Sequence, residues 1–171
     1  TVYENQDQYD QALAHYEKAL QIYRNTIEED HPSVGQTYNS MGNVYEKQGQ
    51  YDHALSHYEN ALQISITTLG EDHPDVGDNY LGIGNVYKSL RQYELALEYF
   101  EKALQIYRNT IGEDHPDVGQ TYNNMGNIYK AKGNDSQAKT YYLKAAAVYE
   151  KAYGKDHSET VDALTRASAC D

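Results

Sequence analysis

The sequence has no tryptophan, one phenylalanine and one cysteine, and no apolar run approaches the roughly 20 residues that a bilayer-spanning helix needs. No segment is therefore predicted to span a membrane, and no signal or transit peptide is visible. A lone cysteine, Cys170, cannot form a disulfide within the chain, which fits a reducing compartment. We expect a cytoplasmic protein.

Cations are also scarce, with 14 lysines and arginines against 26 aspartates and glutamates and a formal net charge of -12. Binding to a phosphate backbone or to an anionic membrane surface depends on an excess of positive charge. Nucleic acid and membranes are therefore not expected as partners. The abundant aromatic residue is tyrosine, which occurs 19 times.

The tyrosines belong to a repeat with a period of 42 residues. Asp-His-Pro occurs at 30–32, 72–74 and 114–116, and a degenerate Asp-His-Ser follows at 156–158. Sixteen of the 19 tyrosines recur at the same positions of successive units. The period predicts a single repeat array with these parts: a partial repeat, mainly second helix (1–29), three full repeats (30–71, 72–113 and 114–155) and a degenerate capping helix (156–171).

Each unit is predicted to form two helices. In the first full unit, Pro32 begins the first helix, with an aspartate or a histidine before it as the capping residue. A turn at residues 47–50 leads to a second helix over 51–69, and Gly70 ends it. Two amphipathic helices of this size cannot bury their apolar faces alone. The fold class is therefore all-α, an α-solenoid of antiparallel helix pairs.

The pattern within each unit resembles a tetratricopeptide repeat. Small residues stand where two helices cross closely, and tyrosines fill the space around them; in the first full unit these are Tyr38, Met41, Gly42, Tyr45, Gly49, Tyr51, Ala54, Tyr58 and Ala61. The unit is longer than the usual 34 residues. It is similar to the repeats of the kinesin light chain and nephrocystin type. The resemblance implies a right-handed superhelix in which the first helices line a concave groove.

That resemblance implies a binding surface for a partner peptide or helix on the first helices. The side chains expected there lie at steps of three and four residues, and they are Gln36, Asn39, Asn43, Glu46, Lys47, Asp78, Leu81, Asn85, Lys88, Gln120, Asn123, Asn127 and Lys130. Their charges predict a groove that is near neutral or slightly basic. An asparagine amide offers both donors and an acceptor, so Asn43, Asn85 and Asn127 are candidates for holding a peptide main chain.

Other candidate sites have weaker support. His53 and His57 lie four residues apart on a helix, but two ligands without a third make a poor metal site, and we expect a solvated face and no metal. Gly82-Ile83-Gly84 lacks the strand and third glycine of a dinucleotide loop and is interpreted as helix packing. No catalytic or cofactor motif is visible, so neither an enzyme nor a cofactor is expected.

The expected function is a non-enzymatic scaffold that binds a protein or peptide partner in the groove. An alternative from another class is self-association, in which the N-terminal half-repeat stacks on a second copy to give a homo-oligomer. Polar or small residues replace apolar ones in the last units, at Asp135, Lys139, Ala146, Ser168 and Asp171. These replacements predict a cap near the natural end of the array, with the N-terminus cut from a longer one.

Overall fold

The computed structural model describes residues 2–26 and 30–171, with side chains described at residue 6 and from residue 8 onward. Within these ranges the chain forms eight α-helices and no β-strand. The helices are α1 (Val2–Thr26), α2 (Pro32–Lys47), α3 (Tyr51–Leu69), α4 (Pro74–Ser89), α5 (Tyr93–Thr110), α6 (Pro116–Ala131), α7 (Asp135–Tyr153) and α8 (Ser158–Ser168). The predicted bounds of α3 and the starts of α2, α4 and α6 are confirmed.

The helices pair as α2 with α3, α4 with α5 and α6 with α7, and turns of three residues join the partners. Such short turns make paired helices antiparallel. Each second helix also packs on the next first helix, and α4 contacts both α2 and α6. The predicted all-α repeat solenoid is therefore confirmed, with its first helices side by side. None of the described helices combines the length and apolarity needed to cross a bilayer.

Histidines, and not aspartates, cap the first helices. The Nδ1 atom of the residue before each proline accepts a hydrogen bond from the backbone N–H two residues later, at 3.2, 3.2 and 3.3 Å for His31, His73 and His115. This bond satisfies one of the four N–H groups that the start of a helix leaves unpaired. An Nδ1 that accepts carries no proton, so the capping form of these rings is neutral.

The turns inside the helix pairs need a left-handed backbone. Gly49 and Gly133 both have φ of 73°, whereas Arg91 takes the same place in the second full unit with φ of 60°. Glycine adopts this region without a steric penalty, but a side chain with a Cβ does not. Arg91 is therefore a strained residue within an otherwise relaxed turn.

Replacing Arg91 by glycine is expected to stabilise the protein. The left-handed backbone costs a residue with a Cβ roughly 1–2 kcal/mol, and the freedom of glycine in the unfolded chain offsets roughly 0.5–1 kcal/mol of the gain. We expect the free energy of unfolding in urea to rise by about 0.5–1 kcal/mol. The reverse change, Gly49→Arg, adds a Cβ that meets nothing within 4 Å and should lower it similarly. An unchanged free energy of unfolding in the R91G variant would show that Arg91 is not strained.

The first helix differs from the prediction. The 42-residue period aligns residues 1–3 with the end of a first helix and therefore predicts a turn after them, but α1 runs without interruption from Val2 to Thr26. Asp7 stands at the position that Gly49, Arg91 and Gly133 occupy in the turns of the full units. Thr1 and residues 27–29 lie outside the described residues, as does the side chain of Tyr3.

Aromatic rings pack directly against glycines where paired helices cross. A Cβ added at Gly42, Gly84 or Gly126 would lie 2.8, 2.6 or 2.7 Å from the ring of Tyr58, Phe100 or Tyr142. Side chains do not tolerate such approaches, so glycine sets the distance between the two helices. Gly82 of the next unit lies against the same Tyr58 ring, where a Cβ would be 2.5 Å away. The helix-packing interpretation of Gly82-Ile83-Gly84 is therefore confirmed.

A second row of aromatic contacts runs along the helix pairs. A second-helix ring stacks on a first-helix tyrosine in each pair, with ring centroids 5.0, 5.5 and 5.3 Å apart in Tyr45–His57, Tyr87–Tyr99 and Tyr129–Tyr141. The ring of His53 lies 5.2 Å from Tyr45. Both histidines of the weak metal motif thus pack on one tyrosine. No group of three potential metal ligands lies together in the described parts of the chain.

His57 is a polar member of this aromatic row. Its Nδ1 atom is buried and has no hydrogen-bond partner among the described residues. Burial lowers the pKa of His57, and the nearby His53 lowers it further. The neutral ring is therefore the form that the folded state favours.

The variant His57→Tyr should make stability less sensitive to acid. Because the folded-state pKa of His57 lies below the unfolded value near 6.5, its stabilising effect is present above that pH and is lost as the pH falls below it. Tyrosine restores the residue type of Tyr99 and Tyr141 and cannot take up this proton. Urea unfolding at about pH 7.5 and about pH 5.5 measures the effect.

The drop in unfolding free energy between the two pH values should be smaller in H57Y than in the parent. The matched control is His15→Gln, because His15 occupies the same repeat position on α1 but is exposed and should leave the drop unchanged. An equal drop in the parent and in H57Y would show that His57 does not contribute.

The last helix, α8, occupies the position of a first helix but exposes apolar side chains. Val161 and Leu164 are 48% and 43% exposed. Lys139 forms an ion pair with Asp171, so two of the replacements predicted to form a cap contact each other. The capping role of α8 stays a prediction, since its outer face is only partly polar.

Candidate functional site: the first-helix surface

The predicted binding residues lie on three neighbouring helices, α2, α4 and α6. We call the open face of these three helices the first-helix surface. Six of the 13 are exposed: Gln36, Asn43, Lys47, Asp78, Gln120 and Lys130. Six others are half-buried: Asn39, Glu46, Asn85, Lys88, Asn123 and Asn127. The structure therefore places most of the set where a partner has access to it.

Leu81 is the exception, because it belongs to the core. It is 9% exposed and packs in a cluster that includes Leu104, Met125 and Val148. Its neighbours in the same repeat position, Asn39 and Asn123, are polar and half-buried. A leucine at this position gains stability by packing against α6, so the expectation that it lines the groove is wrong.

The repeated asparagines hold the buried rings as well as facing solvent. The hydroxyl of Tyr58 donates to Asn43 Oδ1 at 2.7 Å, and the hydroxyl of Tyr142 donates to Asn127 Oδ1 at 2.8 Å. These bonds satisfy hydroxyls that the core would otherwise leave unpaired. Their acceptor oxygens are therefore engaged within the protein. Only the donor half of the predicted asparagine ladder is available to a peptide.

The second full unit keeps the asparagine but changes its partner. Phe100 replaces the tyrosine and offers no hydroxyl, and Lys88 Nζ donates instead to Asn85 Oδ1 at 3.1 Å. Lys88 also donates to Asn124 Oδ1 on α6 at 2.8 Å. Burial lowers the pKa of Lys88, and attraction to Glu46 opposes that shift. The ammonium group thus bridges two helices and contributes little free positive charge to the surface.

A chain of amides crosses from α2 to α4. Asn43 Nδ2 donates to Asn39 Oδ1 at 3.2 Å, and Asn39 Nδ2 donates to Asn79 Oδ1 at 2.7 Å. Asn79 Nδ2 then donates to the hydroxyl of Ser65 at 3.2 Å. Asn79 and Ser65 were missed, although the repeat carries a signal. Each departs from the residue type of its position, Asn79 from threonine and Ser65 from tyrosine.

Aspartates gather at the start of α4 and α6. The hydroxyl of Tyr107 donates to Asp78 Oδ1 at 2.7 Å. Desolvation of the carboxylate raises the pKa of Asp78, although one side of the residue is open to solvent; the bond from Tyr107 opposes the shift, and Asp117 and Asp75 add to it. Asp75 and Asp117 were not among the predicted site residues.

Two further cations near the surface have partners, whereas Lys47 is exposed and forms no ion pair with the described residues. Lys130 Nζ pairs with Asp135 at 2.9 Å and donates to the backbone oxygen of Ala169 at 3.0 Å. Arg166 of α8, which sequence analysis missed, pairs with Asp162 at 2.6 Å and donates to Asn127 at 3.0 Å. The expectation of a near-neutral or slightly basic groove fails at the start of α4, where Asp75 and Asp78 have no lysine or arginine partner among the described residues.

Tyr58→Phe should lower stability by about 1 kcal/mol, since it removes a buried hydroxyl that donates to Asn43 Oδ1 at 2.7 Å. The ring and its contact with Gly42 are kept. Tyr51→Phe is the control, because Tyr51 is half-buried and makes no side-chain hydrogen bond among the described residues. Urea unfolding compares the variants, and equal losses in both would contradict a role for the Asn43 bond.

The chain matches one protein family along its length. A family model described as "Tetratricopeptide repeat" matches residues 1–65, 35–109, 75–151 and 117–171, which together span the chain. No curated protein sequence matches the chain.

Several solved structures have a similar fold. BtubC (BKLC) from P. vanneervenii has a TM-score of 0.73 and 22% identity, over 98% of this chain and 74% of that one. A putative kinesin light chain from Podosopora anserina, with nearly identical TPR-like repeats, has a TM-score of 0.75 and 21% identity, over 98% and 80%. A Rap protein complexed with competence and sporulation factor has a TM-score of 0.77 and 20% identity, over 99% and 45%. The chain thus spans less than half of the Rap protein.

Proposed function

Since the chain belongs to the tetratricopeptide repeat family, we propose that it is a non-enzymatic scaffold that binds a segment of a partner protein on its first-helix surface. The observation that carries the proposal is the continuity of that surface. Polar side chains of α2, α4 and α6 lie side by side, while the apolar side chains of the same helices are buried against α3, α5 and α7. The similar Rap protein, whose structure is a complex with competence and sporulation factor, adds support.

The surface suits an extended segment. Successive first helices pack roughly 8–10 Å apart, and three residues of an extended chain cover about the same distance. A segment that crosses α2, α4 and α6 therefore meets a new helix about every third residue. Asn85 and Asn127 use their oxygens internally, so their amide N–H groups supply donors for carbonyl oxygens of the segment.

Self-association is the second candidate, and the packing of the repeat argues against its simplest form. Val161 on α8 stands at the repeat position of Gly77 and Gly119, where a Cβ would lie 2.7 Å from the rings of Tyr107 and Tyr149. The α1 helix carries Tyr23 at the position of those tyrosines. A second copy whose α1 paired with α8 in the repeat register would therefore meet a steric clash. Light scattering over a concentration series distinguishes the two functions.

Binding on the first-helix surface can be tested with peptides selected from a displayed random library. The groove variant carries Gln36→Ala, Lys47→Ala and Gln120→Ala, three exposed residues whose truncation leaves the helix packing intact. We expect this variant to lose about fivefold or more in affinity for the selected peptides, measured by fluorescence polarisation.

The control removes three exposed side chains from second helices, in Ser56→Ala, Glu59→Ala and Glu150→Ala. It should bind the peptides as the parent does. Equal losses in the two variants, or a loss in the control alone, would overturn the proposal that the first helices form the binding surface. The cytoplasmic location stays a prediction.

A further inference from the structure

A cleft of about 330 Å³ opens between α2 and α4 on the first-helix surface. Its lining includes Gln36, Asn39, Asp75, Asp78 and Asn79. Glycine and small residues form the remaining wall, so the space is open to a side chain from outside. The cleft lies within the proposed binding surface.

Each amide of the cleft already donates one hydrogen bond within the protein. Gln36 Nε2 donates to Asp75 Oδ2 at 3.3 Å, and the amides of Asn39 and Asn79 donate along the chain that ends at Ser65. The acceptors are only half used. Asp75 Oδ1 and Asp78 Oδ2 accept no hydrogen bond from a side chain of the described residues. A ligand that supplies donors therefore fits the free carboxylate oxygens of the cleft.

The charge of the cleft is also uncompensated. No lysine or arginine among the described residues lies within 4 Å of Asp75, Asp78 or Asp117. His73 Nδ1 lies 3.4 Å from Asp75 Oδ1 and His115 Nδ1 lies 3.2 Å from Asp117 Oδ2, but each of these nitrogens also accepts the capping N–H of the same aspartate. A ring nitrogen that accepts the capping bond does not donate to the carboxylate.

Elsewhere in the described part of the chain, seven carboxylates are paired with a cation. These ion pairs join an acidic side chain to a lysine or an arginine: Glu94–Lys132, Glu98–Lys102, Glu113–Arg108, Asp114–Lys151, Asp135–Lys130, Asp162–Arg166 and Asp171–Lys139. Four other clefts each contain at least one lysine or arginine in their lining. The cleft between α2 and α4 contains none.

We propose that this cleft receives the lysine or arginine side chain of a basic, extended partner segment, an inference that rests on the proposed function. Ammonium and guanidinium groups are pure donors, which matches the free carboxylate oxygens of Asp75 and Asp78. Asp117 on the next first helix offers a second negative position. Because adjacent helices lie about three extended residues apart, a second cation three residues along the segment reaches it.

A synthetic peptide tests the inference directly. The probe is a fluorescent peptide of about 12 residues, built from glycine and serine with lysine at every third position, and its partner has glutamate in place of lysine. We expect the lysine peptide to bind and the glutamate peptide not to bind. Binding should weaken as sodium chloride rises from about 50 to about 300 mM.

The test variant is Asp75→Asn with Asp78→Asn, which removes two charges and keeps oxygens able to accept from Gln36 and Tyr107. It should bind the lysine peptide about fivefold or more weakly than the parent. The control is Glu59→Gln with Glu150→Gln, which removes the same charge from exposed second-helix faces and should change affinity by less than about twofold. Thermal unfolding checks that the two double variants are folded. If the variant at Asp75 and Asp78 does not fold, the single variants Asp75→Asn and Asp78→Asn are tested in its place.

Three outcomes would overturn the inference. Equal weakening in the two double variants would mean that the lysine peptide responds only to the net charge of -12. Undiminished binding to the Asp75→Asn, Asp78→Asn variant would place the cation elsewhere. No binding of the lysine peptide up to about 1 mM would show that the cleft does not take this class of ligand.

The failure of this inference is separable from failure of the proposed function. If library peptides without lysine or arginine bind the parent and lose affinity in the groove variant, the first-helix surface binds partners but the cleft has no preference for cations. If selected peptides bind the groove variant as tightly as the parent, the proposed function itself fails, whatever the lysine peptide does.

Discussion

The spacing of the two helices in each unit depends on aromatic rings that lie flat against glycines. With Gly42, Gly84 and Gly126 at the crossings, the rings of Tyr58, Phe100 and Tyr142 occupy space that any Cβ would fill. A protein interior is too closely packed to accommodate that extra atom without moving a helix. Because every unit keeps the contact, every unit has nearly the same shape, and the first helices line up on one side of the solenoid.

The choice of tyrosine for these rings determines the polar chemistry of the surface. A buried phenol ring needs an acceptor for its hydroxyl, and the asparagine on the opposite face of the first helix supplies one. Asn43 and Asn127 therefore link the core to the first-helix surface. Phe100 has no hydroxyl that needs an acceptor, so Asn85 accepts from Lys88 instead. The same lysine donates to Asn124 on α6.

The strong negative charge of the chain is unevenly distributed once it folds. Among the described residues, ion pairs with lysine or arginine compensate seven acidic residues between Glu94 and Asp171, and those exposed pairs add little stability. The first turns of α4 and α6 contain aspartates that lack such partners. Their carboxylates lie where a helix N-terminus favours negative charge, so the fold tolerates them without a nearby cation.

The period of 42 residues and the proline, glycine and tyrosine positions by themselves determined the helix pairs, their bounds and the solenoid, because these features depend on local geometry and on repetition. The uninterrupted α1, the burial of Leu81 and the partners of Lys88 could not be read from the sequence. Each depends on which helix lies opposite a side chain, and a helical periodicity gives the face of a helix but not its neighbour. Only the tertiary structure brought Asp75, Asp78, Asn39 and Asn79 together, since they come from two helices about 40 residues apart whose distance is fixed by rings packed on glycines.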